Sequence, residues 1–405
     1  MMNILVINCG SSSVKYQLFD TDRKMALAKG DVARIGMSGA VLTHKPFDRQ
    51  GTKVSGEILD HIVAIEYVIS ILLSPNHGVI KNKSEIHAVG HRVVHGGEEF
   101  TGSVLVEHEV MRQIRNLIDL APLHNPHNIR GINACKKNLP DVPQVAVFDT
   151  AYHYKMPPMA YIYGLPYVMY KKYGIRRYGF HGTSHRYVAG RAAEMLGKPI
   201  DRVKVITCHL GNGASIAAVD RGVSIDTSMG FTPLEGLLMG TRSGDLDPAV
   251  ILHIMGREEL SLHEANTLMN KHSGLSGVSG VSSDMREILT AAKDGNSNAK
   301  LAFDIYCYRL KKYIGAYAAA MGGVDAIVFT AGVGENSPPV RTATCIGLAF
   351  LGVELDETKN EQAISKEMDI STDGARTRVL AIPTNEELVI ALDTEEIVKN
   401  LKQTP

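Results

Sequence analysis

Short apolar, β-branched runs recur along the chain at 4–7, 86–94, 144–148, 203–207, 326–329 and 379–382. Each is bounded by polar or glycine-containing segments, and each predicts a strand. Between them, apolar residues fall at helical spacing over 61–74, 109–120, 184–196, 285–292 and 300–320. Strands alternating with helices indicate an α/β protein. Asp284 stands where the 285–292 helix would begin, with Glu287 three residues on, which predicts a capping box.

The pattern also repeats itself. Ile4-Leu-Val-Ile-Asn-Cys-Gly-Ser-Ser-Ser-Val-Lys15 reads as strand, small-residue turn and strand. The same plan returns at Val203-Lys-Val-Ile-Thr-Cys-His-Leu-Gly-Asn-Gly-Ala-Ser-Ile-Ala-Ala-Val-Asp220. Two related halves are therefore expected, each opening with a β-meander and continuing with helix-connected strands. A duplicated pair of domains would leave a cleft between its halves, a favoured place for ligands.

Composition narrows the partners. With 405 residues and 44% hydrophobic content the chain is long enough for more than one core. Lysine plus arginine equals aspartate plus glutamate, so overall charge points to neither nucleic acid nor an anionic membrane, and any anion recognition must be local. Cys9, Cys135, Cys208, Cys307 and Cys345 are scattered, odd in number and without metal-ligand spacing, which reads as free thiols in a reducing compartment. The first apolar run stops at Asn8, and no run reaches the roughly 18 residues of a membrane span. A cytoplasmic location is expected.

In the first hairpin, alternation turns Val14, Tyr16 and Leu18 towards a core and Ser13 and Lys15 the other way. Asn8 ends the preceding strand, and Gly10 is expected to take backbone angles that other residues avoid. Backbone N–H groups, hydroxyls, an amide and an ammonium would then converge, the groups that a polyphosphate and its hydrated Mg²⁺ require. The alternative is a plain serine-rich turn. His209-Leu-Gly-Asn-Gly-Ala-Ser215 repeats the arrangement and favours a pair of phosphate clamps. Gly190-Arg-Ala-Ala-Glu-Met-Leu-Gly-Lys-Pro199 only superficially resembles a P-loop, because its spacing is wrong and proline stands where Ser/Thr would hold Mg²⁺; it reads as a helix end with a glycine stop. No G-x-G-x-x-G follows a strand, and the protein-kinase set, H-E-x-x-H and G-x-S-x-G are missing.

Further polar clusters punctuate the apolar frame. Ala326 to Phe329 feeds a glycine-rich turn ending in Glu335 and Asn336, open to a close-lying ligand or serving only as a strand-to-helix turn. Arg92 lies inside an apolar strand and needs an anionic partner. Arg242 sits in a glycine-flanked loop; either arginine alone would more often be a structural ion pair. Asp149 ends a strand, the usual functional position in α/β sheets. His181 stands at a helix start and His124 in a turn, whereas His91, His95 and His185 are expected to be structural.

Taken in order, Asn8-Cys-Gly-Ser-Ser-Ser-Val-Lys15, Gly90-His-Arg-Val-Val-His-Gly-Gly97, Phe180-His-Gly-Thr-Ser-His185, His209-Leu-Gly-Asn-Gly213, Thr241-Arg-Ser-Gly-Asp245, Ala331-Gly-Val-Gly-Glu-Asn336 and Pro383-Thr-Asn-Glu-Glu387 resemble the acetokinase family over nearly the whole chain. The resemblance implies two duplicated ribonuclease-H-like, actin-like ATPase domains with an inter-domain active-site cleft. The first would span 1–150 plus 387–405, the second, nucleotide-binding one 151–386. It also implies a homodimer. By the same resemblance, Asn8 and Glu386 contact metal (Mg²⁺ or Mn²⁺), and Ser11, Ser13 and Lys15 lie near the phosphates. ATP or ADP would be held by His209, Leu210, Gly211, Asn212 and Gly213, by Asp284, Met285 and Arg286, and by Gly332, Val333, Gly334, Glu335 and Asn336. Arg92 and Arg242 would handle carboxylate and phosphoryl group, with His181, Asp149 and His124 catalytic. Val94, Leu123, Phe180 and Pro233 would line a pocket for the acetate methyl.

The implied reaction is reversible, Mg²⁺-dependent phosphoryl transfer from ATP to acetate, giving acetyl phosphate and ADP. Acetate, a carboxylic acid with a pKa of about 4 to 5, is already ionised at neutral pH, so no base need deprotonate it, and Asp149 is expected to position metal, water or an arginine. The alternatives are a kinase for propionate or another short acid, a sugar kinase with Asp149 as base, and an actin-like ATPase switch without an acyl acceptor.

Overall fold

Asn3–Cys9 (β1) is buried at almost every position because it lies mid-sheet with helices over both faces. The computed structural model describes residues 2–401 and divides into two compact units. The first holds residues up to Tyr152 together with those from Asn385 onward; the second is His153–Thr384.

In the first unit β1 is followed by Ser13–Asp20 (β2), Met25–Ala33 (β3), Ala40–Pro46 (β4), Thr52–Gly56 (β5), Ala88–Val93 (β6), Val104–Leu105 (β7) and Gln144–Phe148 (β8). They form one sheet in the order β5-β4-β3-β2-β1-β6-β8-β7; β1 to β5 are an antiparallel meander, and β6 and β8 run parallel to β1. Strand alternation decides what each face meets. Val89 joins Leu5, Ile7, Val14 and Leu18 in a core with the helices His61–Leu72 and Asn125–Asn138. Gly90 points the other way, towards the helix Glu386–Leu401. A Cβ there would stand 2.5 Å from Thr394 Oγ1 and 2.8 Å from Ile390 Cγ2, so only glycine admits that helix so closely. Asp60 caps His61–Leu72, its Oδ1 accepting from the N–H groups of Ile62 and Val63 at 2.8 and 2.9 Å.

The second unit repeats the plan with Lys204–Leu210 (β9), Ala214–Asp220 (β10), Val223–Thr227 (β11), Ala326–Thr330 (β12), Met368–Asp369 (β13) and Arg378–Ala381 (β14). Their order is β11-β10-β9-β12-β14-β13, with β9 to β11 antiparallel and β12 and β14 parallel to β9. Thus β3-β2-β1-β6-β8 and β11-β10-β9-β12-β14 share order and sense, which is the duplicated α/β architecture expected from the repeated hairpin. The helices Gly182–Met195 and Ser297–Met321 pack on this sheet. Gly197, at φ +64°, follows the first of these, as its stop reading required.

Four local expectations need correction. The 109–120 helix is His108–Asn116 followed by a 3₁₀ turn, Ile118–Leu120, because Pro122 drives Ala121 out of helical geometry. The segment after β12 is a short helix, Ala331–Asn336, closed by an Asn336 Nδ2 bond to the Gly332 carbonyl at 2.9 Å. Gly10 does not adopt a left-handed φ, and a Cβ there would meet only the rotatable Ser13 Oγ, at 3.0 Å. Asp284 does cap Met285–Lys293, accepting from the Arg286 N–H at 2.9 Å, but no capping box forms, because the Asp284 N–H goes to Ser282 Oγ at 3.0 Å instead of to Glu287.

Candidate active site

Arg92 and Asp149 leave adjacent parallel strands, β6 and β8, at the same end of the sheet, and the Asp149 N–H bonds the Val93 carbonyl at 3.0 Å. The guanidinium donates from Nε to both carboxylate oxygens at 3.0 Å and from Nη2 to Oδ2 at 2.6 Å. Side-chain exposure is 21% for Arg92 and 2% for Asp149, so each is the other's principal compensation. Burial would depress the guanidinium, but the attraction of Asp149 and then Glu386 outweighs it and the net shift is upward. Burial raises the Asp149 carboxyl, and the charge and hydrogen bonds of Arg92 oppose that rise.

Two residues missed in the sequence pin this strand end. Asn125 exchanges bonds with His95, its Oδ1 accepting from the His95 N–H at 3.3 Å and its Nδ2 donating to the His95 carbonyl at 3.1 Å. Asn128 accepts from the Val94 N–H at 3.1 Å and donates to the Cys9 carbonyl at 3.2 Å, joining the exits of β1 and β6. Both are buried, and the available signal was two amides three residues apart at a helix start. His124 precedes that helix and is half-buried, while Leu123 is 68% exposed. His91 bonds Gln144 at 2.9 Å, a structural role.

Asn8 and Lys15, directly paired across β1 and β2, face a cavity of about 300 Å³ with Thr43, Asp31 and Glu387. Of the adjacent glutamates it is Glu387 that lines this cavity; Glu386 opens the last helix, where its charge is felt by Arg92. Glu387 is pushed up by burial and by Glu386, against the pull of Arg92 and Lys15. Ser11 opens onto a different hollow, beside His61 and Arg130, and Ser13 is half-buried. Among the described residues no three His, Cys, Asp or Glu side chains could enclose a metal. An amide and a carboxylate beside a lysine nevertheless fit a hard divalent ion that keeps most of its waters and takes its remaining oxygens from phosphate.

In the second unit, the glycine hairpin joins β9 to β10 through a 3.1 Å bond from Gly211 N–H to the Gly213 carbonyl, and Asn212 is held by the Gly240 N–H at 3.0 Å. A cavity of about 540 Å³ brings together Gly211, Asn212, Asp284, Met285, Arg286, Gly332, Val333 and Asn336. Leu275, Leu289 and Tyr306 add an apolar wall that sequence reasoning did not supply. His209, Leu210, Gly213, Gly334 and Glu335 do not line it. Gly334 packs on the Phe329 backbone, and Glu335, raised by burial, turns inward to accept from the Thr384 N–H at 3.0 Å. Asp284 is held down to about 2, chiefly by its bond with the Arg286 guanidinium.

Beside the hairpin stand Arg242 and His181. A Cβ on Gly213 would lie 3.4 Å from Arg242 Nη1 and 3.9 Å from His181 Nε2, so both converge over this glycine. Arg242 Nη1 donates to the Pro233 carbonyl at 3.1 Å; burial lowers its pKa, and no carboxylate among the described residues pairs with it. His181 takes φ +57° at the head of Gly182–Met195, its ring stacked on His209 with centroids 4.1 Å apart. Phe180 is buried and Pro233 half-buried. This half thus offers a partly desolvated cation with spare donors next to a glycine-containing cavity.

The comparisons with known proteins agree. A family model described as the acetokinase family matches residues 3–392. The acetate kinase of Desulfitobacterium hafniense (strain DSM 10664 / DCB-2) is 59% identical over 398 residues, covering 98% of this chain and 100% of that protein. Among solved structures, Porphyromonas gingivalis acetate kinase superposes with a TM-score of 0.95 at 49% identity, and a propionate kinase from Francisella tularensis with 0.91 at 42%. Each covers 98% of this chain and 100% of its own.

Proposed function

This chain belongs to the acetokinase family and is a kinase that phosphorylates acetate, and from that premise we propose how its residues divide the work. ATP is the donor and Mg²⁺ the accompanying ion, and the products are acetyl phosphate and ADP. The nucleotide lies along the cavity that contains Asn212, Asp284, Arg286 and Gly332. Arg242 and His181 take the transferring phosphoryl group, and Arg92, oriented by Asp149, takes the acetate carboxylate. Val94, Leu123, Phe180 and Pro233 are the residues assigned to the methyl group.

The observation that carries this reading is the unpaired charge of Arg242. A desolvated guanidinium without a carboxylate is costly, and an incoming phosphoryl oxygen recovers that cost where negative charge accumulates during in-line transfer. Mg²⁺, held from Asn8 and Glu386 or Glu387, would supply screening of phosphate charge. Asp149 already spends both oxygens on Arg92, which supports a positioning role for it rather than proton removal.

A hydroxamate assay for acyl phosphate with ATP, Mg²⁺ and acetate, propionate, butyrate or glucose tests the reading. Turnover highest with acetate is expected, with side activity on propionate because one methylene discriminates by only about 1 to 3 kcal/mol. Preference for propionate, the substrate in the name of the Francisella relative, would move the assignment to the second reading. We also expect a cytoplasmic homodimer, the latter measurable by light scattering. Among the described residues no helix is long and apolar enough to cross a membrane.

A further inference from the structure

Beneath His181 the second unit buries a line of polar side chains that the phosphoryl-transfer reading does not use. The helix Gly182–Met195 lays its first turns on β9, and His185 fits between β9 and β10 with no exposure at all. Its Nδ1 meets Thr207 Oγ1 at 2.7 Å and its Nε2 meets Ser215 Oγ at 2.8 Å. The same Ser215 Oγ lies 2.9 Å from His181 Nδ1. Four side chains therefore form one chain of contacts, Thr207–His185–Ser215–His181.

Counting hydrogens gives this chain a direction. Thr207 is fully buried, and among the described residues its hydroxyl has no other partner than His185. To keep its hydrogen satisfied it must donate to His185 Nδ1, since a buried unmet donor costs on the order of 1 to 3 kcal/mol. His185 is held neutral, first by burial and then by the neighbouring His153 and His209, so it has one N–H to place. With Nδ1 accepting, that hydrogen is on Nε2 and is donated to Ser215 Oγ. Ser215 then has a single hydrogen left, and it goes to His181 Nδ1. His181 Nδ1 is thereby an acceptor, and the hydrogen of the neutral ring is on Nε2, the atom that faces Gly213 beside Arg242.

We propose that Thr207, His185 and Ser215 are positioning residues that hold His181 as the neutral imidazole with its hydrogen on Nε2, a ready donor to the transferring phosphoryl group. The proposal rests on the assignment of His181 to that group. Its physical content is preorganisation: a donor fixed before the reaction needs no reorientation as charge develops. The ring also needs no second positive charge next to Arg242, which stands over the same glycine.

Long-range ¹H–¹⁵N NMR on ¹⁵N-histidine-labelled protein reads the tautomer directly, with His181→Ala used to assign the signals. The expected wild-type result at pH 7 is a neutral His181 with Nε2 protonated. Thr207→Val keeps shape and strand preference while deleting the hydroxyl. It should give His181 a mixed tautomer and lower kcat roughly 10-fold, the lower end of what outer partners of a functional histidine cost, with KM for ATP and acetate little changed. Thr207→Ser, which restores a hydroxyl, should recover most of both losses, and Ser215→Ala should reproduce the Thr207→Val pattern. A wild-type His181 protonated on Nδ1 or on both nitrogens overturns the proposal, as does a Thr207→Val protein in which either the His181 spectrum or kcat is unchanged. Retention of full kcat in His181→Ala would instead overturn the assignment of His181 to the phosphoryl group, and the tautomer would still be decided by the spectra.

Discussion

The two arginines proposed to handle the substrates, one in each unit, are the same residue type placed in opposite electrostatic situations. Arg92 is clamped by a buried carboxylate and feels Glu386 as well, so its charge is largely answered within its own unit. Arg242 is partly desolvated, and among the described residues its acceptors are a backbone carbonyl and a sulfur, those of Pro233 and Met239. A compensated guanidinium is rigid and directional, suited to orienting a carboxylate. An uncompensated one is suited to stabilising charge that appears only during the reaction.

The largest expected effect breaks the uncompensated member. Arg242→Ala should lower kcat by about 100- to 1000-fold, the usual loss for one well-aimed donor, with the folded protein otherwise intact. Steady-state kinetics beside a thermal melt measure both, and near-full turnover would reject the contrast. Next comes Asp149→Asn, which leaves Arg92 in place but loosens its grip. A fall of roughly 10- to 100-fold is expected, as for other partners that orient a functional side chain. No limb of the pH–rate profile should vanish. Loss of such a limb with an unchanged Mg²⁺ requirement would make Asp149 a base instead.

Smaller effects sharpen the picture around Arg92. Gly90→Ala forces a methyl into Thr394 and Ile390 and should cost about 1 to 3 kcal/mol of stability in urea denaturation, as overpacking does. Glu387→Gln should have the mildest effect. Burial raises the Glu387 carboxyl above its unfolded value, so its ionisation disfavours the fold as pH rises through the folded pKa. In metal-free buffer the variant should therefore melt slightly above wild type at neutral pH, and the gap should close as pH falls below the ordinary glutamate range. A gap that widens towards acid would mean that Glu387 is stabilised as the carboxylate.

Much of this was legible in the residues because period and chemistry act locally. The alternation in β2, the apolar run of β8 and the helical spacing before Met321 all need only neighbours in the chain. The need of Arg92 for an anion was also legible, but its pairing with Asp149 was not, since the register of β6 against β8 brings together residues 57 apart. The same reason hid the Thr207–His185–Ser215 line, whose members are unremarkable singly and acquire direction only when a helix is laid across two strands. Gly10 and the 331–336 segment were misread for another reason. Glycine signals either unusual angles or want of room; Gly10 shows no left-handed φ, and at Gly334 only the position of the Phe329 backbone reveals the close approach.

The covering of β6 by Glu386–Leu401 has a consequence for biosynthesis. The sheet of the first unit receives one of its layers from a helix translated after His153–Thr384, whereas His153–Thr384 is a single uninterrupted stretch. During synthesis the carboxyl-side body can therefore reach its finished form while the earlier-made one still has the face around Gly90 bare, and a nascent chain stalled before Asn385 would carry that apolar face as a target for chaperones.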